Sequence, residues 1–269
     1  MGRITRVLTI AGSDSGGGAG IQADLKTMTV LGAYGMSVIT SITAQNTVGV
    51  TGIYDLTPEA VERQLEAVLS DIGADAVKTG MLSSAAIIEV VAAGLERFGT
   101  GNLVIDPVMV AKSGDALLHE EARETLKARL LPLAAIVTPN VPEAEVLTGM
   151  EIHDETALRA AAEALRGMGP QYVLVKGGHL RGAEATDYLY DGEAMRAYST
   201  PRIATANTHG TGCTLSAAIA TWLGFGRTVP EAVGLAKEYI TGAIAHSDEL
   251  GVGSGHGPLH HGWKLTIDN

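Results

Sequence analysis

Apolar residues along this chain switch between two spacings. Val7-Leu8-Thr9-Ile10 is a β-branched run that ends in Gly12-Ser13-Asp14-Ser15-Gly16-Gly17-Gly18, and beyond it Ile21, Leu25, Met28 and Leu31 recur at close to 3.6 residues. The pattern predicts a strand, a glycine loop and a helix. Val38 to Thr43 reads as a second strand and Val50 to Leu56 as a short extension, while Pro58 opens a helix running through Leu65 and Leu69. The alternation repeats, with strands at Ala76 to Thr79, Leu103 to Asp106, Ala135 to Thr138 and Tyr172 to Lys176. Helices fall between them at Ala85 to Phe98, Leu117 to Leu130, Pro142 to Leu147 and Glu155 to Met168. A hairpin at Ala185 to Tyr198 turns around Asp191-Gly192. Helices at Thr211 to Leu223 and Pro230 to Ala245 precede a Gly/His-rich tail from Gly251.

Strands alternating with helices argue for right-handed βαβ units and a mostly parallel sheet covered on both faces. No Pro/Ser-rich linker, charge block or internal repeat divides the chain, so residues 1–269 read as one domain with small β excursions near residues 48–56 and 184–199. A hydrophobic content of 46% against 18% charged residues excludes disorder. The net charge of −11, with no basic run, disfavours nucleic acid and anionic membrane surfaces as partners. Thr27 to Tyr54 is uncharged and long enough to cross a bilayer, but Gly32, Gly35, Gln45, Asn46, Gly49 and Gly52 make it read as buried α/β interior. The apolar stretch Val7 to Ala11 is too short for a signal peptide, and Arg6 breaks a myristoylation pattern. A single cysteine leaves no internal disulfide and suits a cytoplasmic setting.

Ligands in parallel sheets bind beyond the carboxyl ends of the strands, which selects the loops worth reading. Asn207-Thr208-His209-Gly210-Thr211-Gly212-Cys213 opens an uncharged helix, and the unpaired amides of a glycine-rich helix start form an anion hole. Cys213 falls in the first turn, where the helix field is expected to lower its thiol pKa; a small buried hydrophobe is the alternative. The dinucleotide fingerprint fails at Leu215 and at Ile21, and the P-loop pattern is absent, so a nucleotide would need a different phosphate site. Ser13 to Gly20 reads equally as a functional loop or as a plain turn with Ser or Asp capping the next helix. Asn140 and Glu143 fit either magnesium carried in with a polyphosphate or an ordinary helix cap. Asp106 closes a buried strand as ligand contact or cap, and Lys176 ends its strand as phosphate partner or solvated lysine. In the tail, His256 and His260 have zinc-like spacing, but Gly257 and Pro258 argue against a helix, so a glycine loop is expected. No Gly-x-Ser-x-Gly elbow supports Ser-His-Asp hydrolysis. The glycine segments Ala111 to Asp115 and Gly251 to His261 are candidates to close over a substrate.

Taken together, the runs Ile10 to Asp24, Thr43-Ala44-Gln45-Asn46-Thr47, Lys78-Thr79-Gly80-Met81, Asp106-Pro107-Val108-Met109, Thr138-Pro139-Asn140, Val175 to His179 and His209-Gly210-Thr211-Gly212-Cys213 resemble the ribokinase-like superfamily. More narrowly they resemble the hydroxymethylpyrimidine/phosphomethylpyrimidine kinases of thiamine biosynthesis, end to end. The resemblance implies a doubly wound α/β fold, a homodimer, and an ATP- and Mg2+-dependent phosphotransferase acting on 4-amino-5-hydroxymethyl-2-methylpyrimidine and then on its monophosphate. It implies that Gly12, Asp24, Thr43, Gln45, Met81 and Val108 form the pyrimidine pocket, with the Gln45 amide pairing with the ring nitrogen and exocyclic amine. By the same resemblance Gly210, Thr211, Gly212 and Cys213 form the catalytic turn, and Lys176, Thr208 and Lys237 surround the ATP phosphates. Asp106, Asn140 and Glu143 are then the magnesium-phosphate residues. Most of the wider superfamily carries aspartate where this chain has Cys213; the pyrimidine kinases share the cysteine. A pyridoxal or pyridoxine kinase of the same lineage is the alternative, and a non-catalytic vitamin or nucleotide binder a remote one.

Overall fold

The computed structural model describes residues 3–109, 120–179 and 182–265. Its first strand, β1 (Arg6–Asp14), is the centre of the molecule because Val7, Leu8, Thr9 and Ile10 are all fully buried, as a strand covered on both faces requires. The chain continues through α1 (Gly20–Val30), β2 (Tyr34–Gln45), β3 (Val50–Asp55), α2 (Pro58–Asp71), β4 (Ala76–Thr79), α3 (Ala85–Phe98) and β5 (Leu103–Ile105). After α4 (Glu120–Thr125), extended to Leu130 by one wide turn, come β6 (Ile136–Val137), α5 (Val141–Thr148), α6 (Glu155–Gly167) and β7 (Tyr172–Lys176). The hairpin β8 (Glu184–Tyr190) and β9 (Met195–Pro201) leads into α7 (Thr211–Gly224) and α8 (Val229–Ala245).

These strands form one nine-stranded sheet in the order β3-β2-β1-β4-β5-β6-β7-β8-β9. Pairings from β2 to β7 are parallel, and the three involving β3, β8 and β9 are antiparallel. Alternation along each strand sorts the core into two layers. Leu8, Ile10, Val77, Leu103, Ile105, Val173 and Val175 face α2, α3, α5 and α6, whereas Val7, Ala76, Val104 and Leu174 face α7 and α8. Strand order reverses between β1 and β4, and such a switch point opens a crevice at the carboxyl ends.

The expected elements are present, with differences at their ends. β1 runs on to Asp14 instead of stopping before Gly12, because Ser13 and Asp14 still pair with Ile42 and Thr43 after an irregularity between Ala11 and Ser13. The helix expected from Leu117 is described from Glu120, and Ala111 to Asp115 lies outside the described residues. The uncharged run is interior only in part: Val48 in the β2–β3 loop is exposed, as are Ile53 and Tyr54 on β3, which among the described residues pairs with β2 alone. No helix among the described residues is long and apolar enough to cross a membrane.

The Gly/His-rich tail is a non-helical strap. The His256 amide donates to Thr47 O at 2.8 Å and the His209 amide to Gly257 O at 3.1 Å, tying the β2–β3 loop to the segment before α7. Thr214 Oγ1 donates to Gly210 O at 2.8 Å and lies 3.0 Å from Nε2 of buried His261. Among the described residues no group of three or more His, Cys, Asp or Glu side chains has the arrangement to hold a metal.

Replacing Leu8 by Ala is expected to lower the unfolding free energy by about 2–5 kcal/mol in urea titrations, whereas Val48→Ala in the β2–β3 loop changes it by about 0.5 kcal/mol or less. Burial, reinforced by Lys26 and His260, holds the His261 imidazole down to about 4. A depressed folded value makes the neutral form the stabilising one. That contribution is full above the ordinary histidine range and is lost as pH falls from about 6.5 towards 4. His261→Asn is expected to be less stable at pH 8 and to lose less of its melting temperature than the wild type between pH 7 and pH 4.5.

Candidate active site

A cavity of about 750 Å³ lies across the carboxyl ends of β1, β4, β5, β6 and β7 and meets the first turn of α7. Around it the loop after β1 is organised by Asp14, which accepts from the amides of Gly16 at 2.8 Å, Gly18 at 3.1 Å and Ala19 at 2.8 Å. The α1 N-cap, Ala19, makes no side-chain cap bond. Asp14 also meets His209 Nε2 at 2.8 Å across the 195 residues that separate them. Burial works to raise the Asp14 pKa, but the His209 and backbone bonds prevail and hold it below the usual carboxylate range.

Gly210 sits at the N-terminus of α7 with φ +85°, a left-handed conformation open to glycine, and a Cβ there would overlap Gly18 O. Gly212 is less constrained but closely faced: a Cβ would stand 3.2 Å from Lys176 Nζ and 3.3 Å from Asp106 Oδ2. The turn therefore lies directly against the strand-end charges, with the first-turn amides free of intrahelical carbonyls. Cys213, partly accessible, follows it. Its thiol does not have the lowered pKa expected from the helix start. Burial pushes it up to about 11, with Asp24 and Asp106 adding and Lys78 and a backbone bond from Gly20 opposing, so these surroundings favour the neutral thiol.

Lys176 Nζ binds Asp106 Oδ1 at 2.7 Å and lies 3.9 Å from Glu143 Oε2. Burial would lower the Lys176 pKa, yet Asp106 and Glu143 raise it, so the ammonium stays charged. Asn140 and Glu143 form a reciprocal capping box at α5, with bonds of 2.9 and 2.8 Å, and both still line the cavity. Burial pushes the Glu143 carboxyl up to about 7, with Lys176 opposing and Asp106 adding. On the far side Lys237 Nζ binds Asp187 Oδ2 at 2.7 Å, and Asp187 Oδ1 accepts from the Gly177 amide at 3.0 Å. At the opposite end Gln45 lies between Thr43 Oγ1 at 3.1 Å and His209 Nε2 at 3.4 Å. Gly12 leaves room for Met81, whose Cε would be 2.5 Å from a Cβ there.

Gly12, Thr43, Gln45, Met81, Val108, Asp106, Asn140, Glu143, Lys176, Thr208, Gly210 to Cys213 and Lys237 all line this one cavity. Asp24 does not. Its side chain is fully buried beneath the floor, bound to Lys78 Nζ at 2.8 Å and to Thr9 Oγ1 at 2.6 Å, because Asp24 is on the inward face of α1 against β4. Asp14, His209 and Asp187 were not singled out by the sequence, since each acquires its partner only through the folded sheet. The lining positions Ile240, Thr241 and Ile244 are a missed signal: with Lys237 they follow the spacing of one helix face.

A centre that combines the α7 turn amides, the Lys176 ammonium and the Asp106 and Glu143 carboxyls, flanked by a small polar end and an apolar end, Ile203, Ile240 and Ile244, can hold a polyphosphate with its counter-ion between an acceptor and a nucleoside. Comparison with known proteins bears on this geometry. The phosphomethylpyrimidine kinase family model matches residues 14–260. Hydroxymethylpyrimidine/phosphomethylpyrimidine kinase of Streptomyces coelicolor is 55% identical over 260 residues, covering 96% of this chain and 95% of that protein. The thiamine biosynthesis bifunctional protein ThiED of Geobacter sulfurreducens is also 55% identical, over 95% of this chain, which spans 52% of that longer protein. Among solved structures, pyridoxal kinase from Staphylococcus aureus in complex with AMP-PCP and pyridoxal superposes with a TM-score of 0.88 at 36% identity, over 97% of this chain and 94% of that one. With a family match across most of its length and such relatives, the chain belongs to the phosphomethylpyrimidine kinase family, and its fold is ribokinase-like.

Proposed function

We propose that the chain transfers the γ-phosphoryl group of ATP to the hydroxymethyl oxygen of 4-amino-5-hydroxymethyl-2-methylpyrimidine, and then phosphorylates the resulting monophosphate to the diphosphate. The observation that carries the reading is the placement of Gly210 to Cys213 against Asp106 and Lys176, between the Gln45–Met81 end and the Lys237 end of one cavity. Gln45 offers an amide donor and acceptor to an aminopyrimidine edge. The acceptor oxygen forms its bond to phosphorus as the β,γ-bridging bond breaks, with charge spread over the phosphoryl oxygens, so positioning and neutralisation dominate. Turn amides, Lys176 and Lys237 supply that neutralisation. Cys213, a protonated thiol, orients the acceptor hydroxyl, whose proton leaves late.

Asp106 and Glu143, with Asn140, suit magnesium bound through one or two carboxylates, phosphate and water, since all three line the cavity and a single ammonium, Lys176, stands 2.7 and 3.9 Å from the two carboxyls. When bound, the ion would add positive charge beside the polyphosphate. The identity to pyrimidine kinases, 55% against 36% for the pyridoxal kinase, favours the pyrimidine alcohol over a pyridine alcohol. We place the protein in the cytoplasm, where a lone thiol stays reduced, and propose a homodimer through the exposed apolar side chains of the β2–β3 loop and β3 at Val48, Ile53 and Tyr54.

Addition of the pyrimidine alcohol to protein, ATP and magnesium is expected to release ADP, and equal concentrations of pyridoxal should compete poorly. A pyridoxal preference would transfer the assignment to the alternative, and no ADP with either would leave only a binding protein. Cys213→Ala is expected to raise the KM of the alcohol more than it lowers kcat, whereas loss of a true base would cost about a hundredfold or more in kcat. In light scattering, combined Val48→Asp and Tyr54→Lys is expected to halve the solution mass; an unchanged mass would place the dimer elsewhere or leave a monomer.

A further inference from the structure

Lys78 and Asp24 form an ion pair with both side chains fully buried, Nζ to Oδ2 at 2.8 Å. Thr9 Oγ1 donates to the same Oδ2 at 2.6 Å, while Asp24 Oδ1 has no hydrogen-bond partner. Stability does not account for such a pair. Apolar side chains of equal volume commonly serve a core as well or better, and this pair is also incompletely satisfied.

Its position supplies another reason. Lys78 stands two residues after Ala76, so it shares the sheet face covered by α7. Asp106 and Lys176 stand two residues after Val104 and Leu174 on that same face, and all three residues therefore end their strands beneath the start of α7. The ammonium lies 2.8 Å from where a Gly80 Cβ would be, and that position is 3.0 Å from Ala11 Cβ, in the cavity wall. Of the pair, the ammonium lowers the Cys213 thiol more than the carboxylate raises it.

We propose that Lys78 is a positioning residue for phosphoryl transfer: a fixed, water-free positive charge beneath the Gly210–Cys213 turn, anchored by Asp24, that strengthens the turn's hold on the migrating phosphoryl group. The ammonium touches no substrate and moves no proton. It acts by setting the positive member of a buried pair towards the turn before ligands arrive, as preorganised charge does in a dry site. The proposal rests on the kinase reading above.

Cys213 is the only cysteine, so its alkylation by iodoacetamide at pH 8.5 reads the field at the turn without any substrate. Lys78→Gln and the double variant Lys78→Met with Asp24→Leu remove the charge, and Lys78→Arg keeps it. Both variants that lack the ammonium are expected to alkylate about tenfold more slowly, the equivalent of one pKa unit. They should also lose about tenfold or more in kcat, with the pyrimidine KM within about threefold of wild type. Lys78→Arg should restore most of both. A folded double variant, checked by urea melting, with wild-type alkylation and kcat would make the pair merely structural and overturn the proposal. So would loss of kcat with unchanged alkylation. Should the double variant not fold, equal alkylation rates in the Gln and Arg forms overturn it as well. An inactive wild type would defeat the kinase reading instead, which the alkylation readings would not.

Discussion

Charge taken out of water is the constraint on which this molecule turns. Three ion pairs, Asp24–Lys78, Asp106–Lys176 and Asp187–Lys237, and the hydrogen-bonded pair Asp14–His209 lie in or under one cavity, and every side chain in them is at most 14% exposed. An isolated charge in such surroundings would cost several kcal/mol, and removing one partner of a buried pair destabilises by about 3–5 kcal/mol. The partners come from segments 50 to 195 residues apart. Correct assembly of the sheet edge is therefore a condition for tolerating these charges, and the same assembly sets the Lys176 and Lys237 ammonium groups in the cavity lining. Lys176 illustrates the balance: two carboxylates keep it charged despite burial, yet its ammonium remains close enough to Gly212 to meet whatever the turn holds.

Glycine provides the second half of the arrangement. Gly210 and Gly212 let a helix start approach charged side chains and the Gly18 carbonyl more closely than any side chain would permit. Such a turn has little of its own to hold it, and the strap compensates. The tail binds Thr47 on one side and His209 on the other, Gly257 accepts a further tie by donating to Asn207 Oδ1 at 3.0 Å, and His261 pins Thr214. The last described residues thus fix the geometry of a turn some fifty positions earlier, and the β2–β3 loop is held by the same atoms.

What could be read from the sequence follows this division. Strand and helix placement was legible because apolar periodicity is local, and the rule that ligands sit beyond strand ends pointed to Asp106, Asn140, Lys176 and the Gly210 turn without any contact being known. Asp24 shows the limit. It belongs to the same run as Gly12 and shares its motif, but α1 turns its carboxylate inward to Lys78, a residue 54 positions away. A run of residues identifies a neighbourhood, not the direction of each side chain. The exposed β3 edge was obscure for a related reason: an uncharged segment looks alike whether its apolar side chains meet a core or a free edge.

Cys213 is the sharpest case, because two local principles gave opposite signs. A helix start stabilises a thiolate, and burial penalises it; composition cannot say which prevails, since the answer depends on how much water reaches the sulfur. In the folded chain burial and the carboxylates Asp24 and Asp106 push the thiol up to about 11. That outcome bears on the chemistry as a whole. A site that needed a strong base would be poorly served by this sulfur, whereas one whose transition state is loose needs charge held in place more than a proton removed early. Fixed amides, paired ammonium groups and a neutral thiol suit the second requirement, and they explain how a cysteine can stand where the wider superfamily has a carboxylate. An aspartate in this position would add another negative charge beside Asp106 and above Asp24, in surroundings where burial already pushes Glu143 up to about 7. The neutral residue leaves the turn positive, and the positive turn is what a polyphosphate requires.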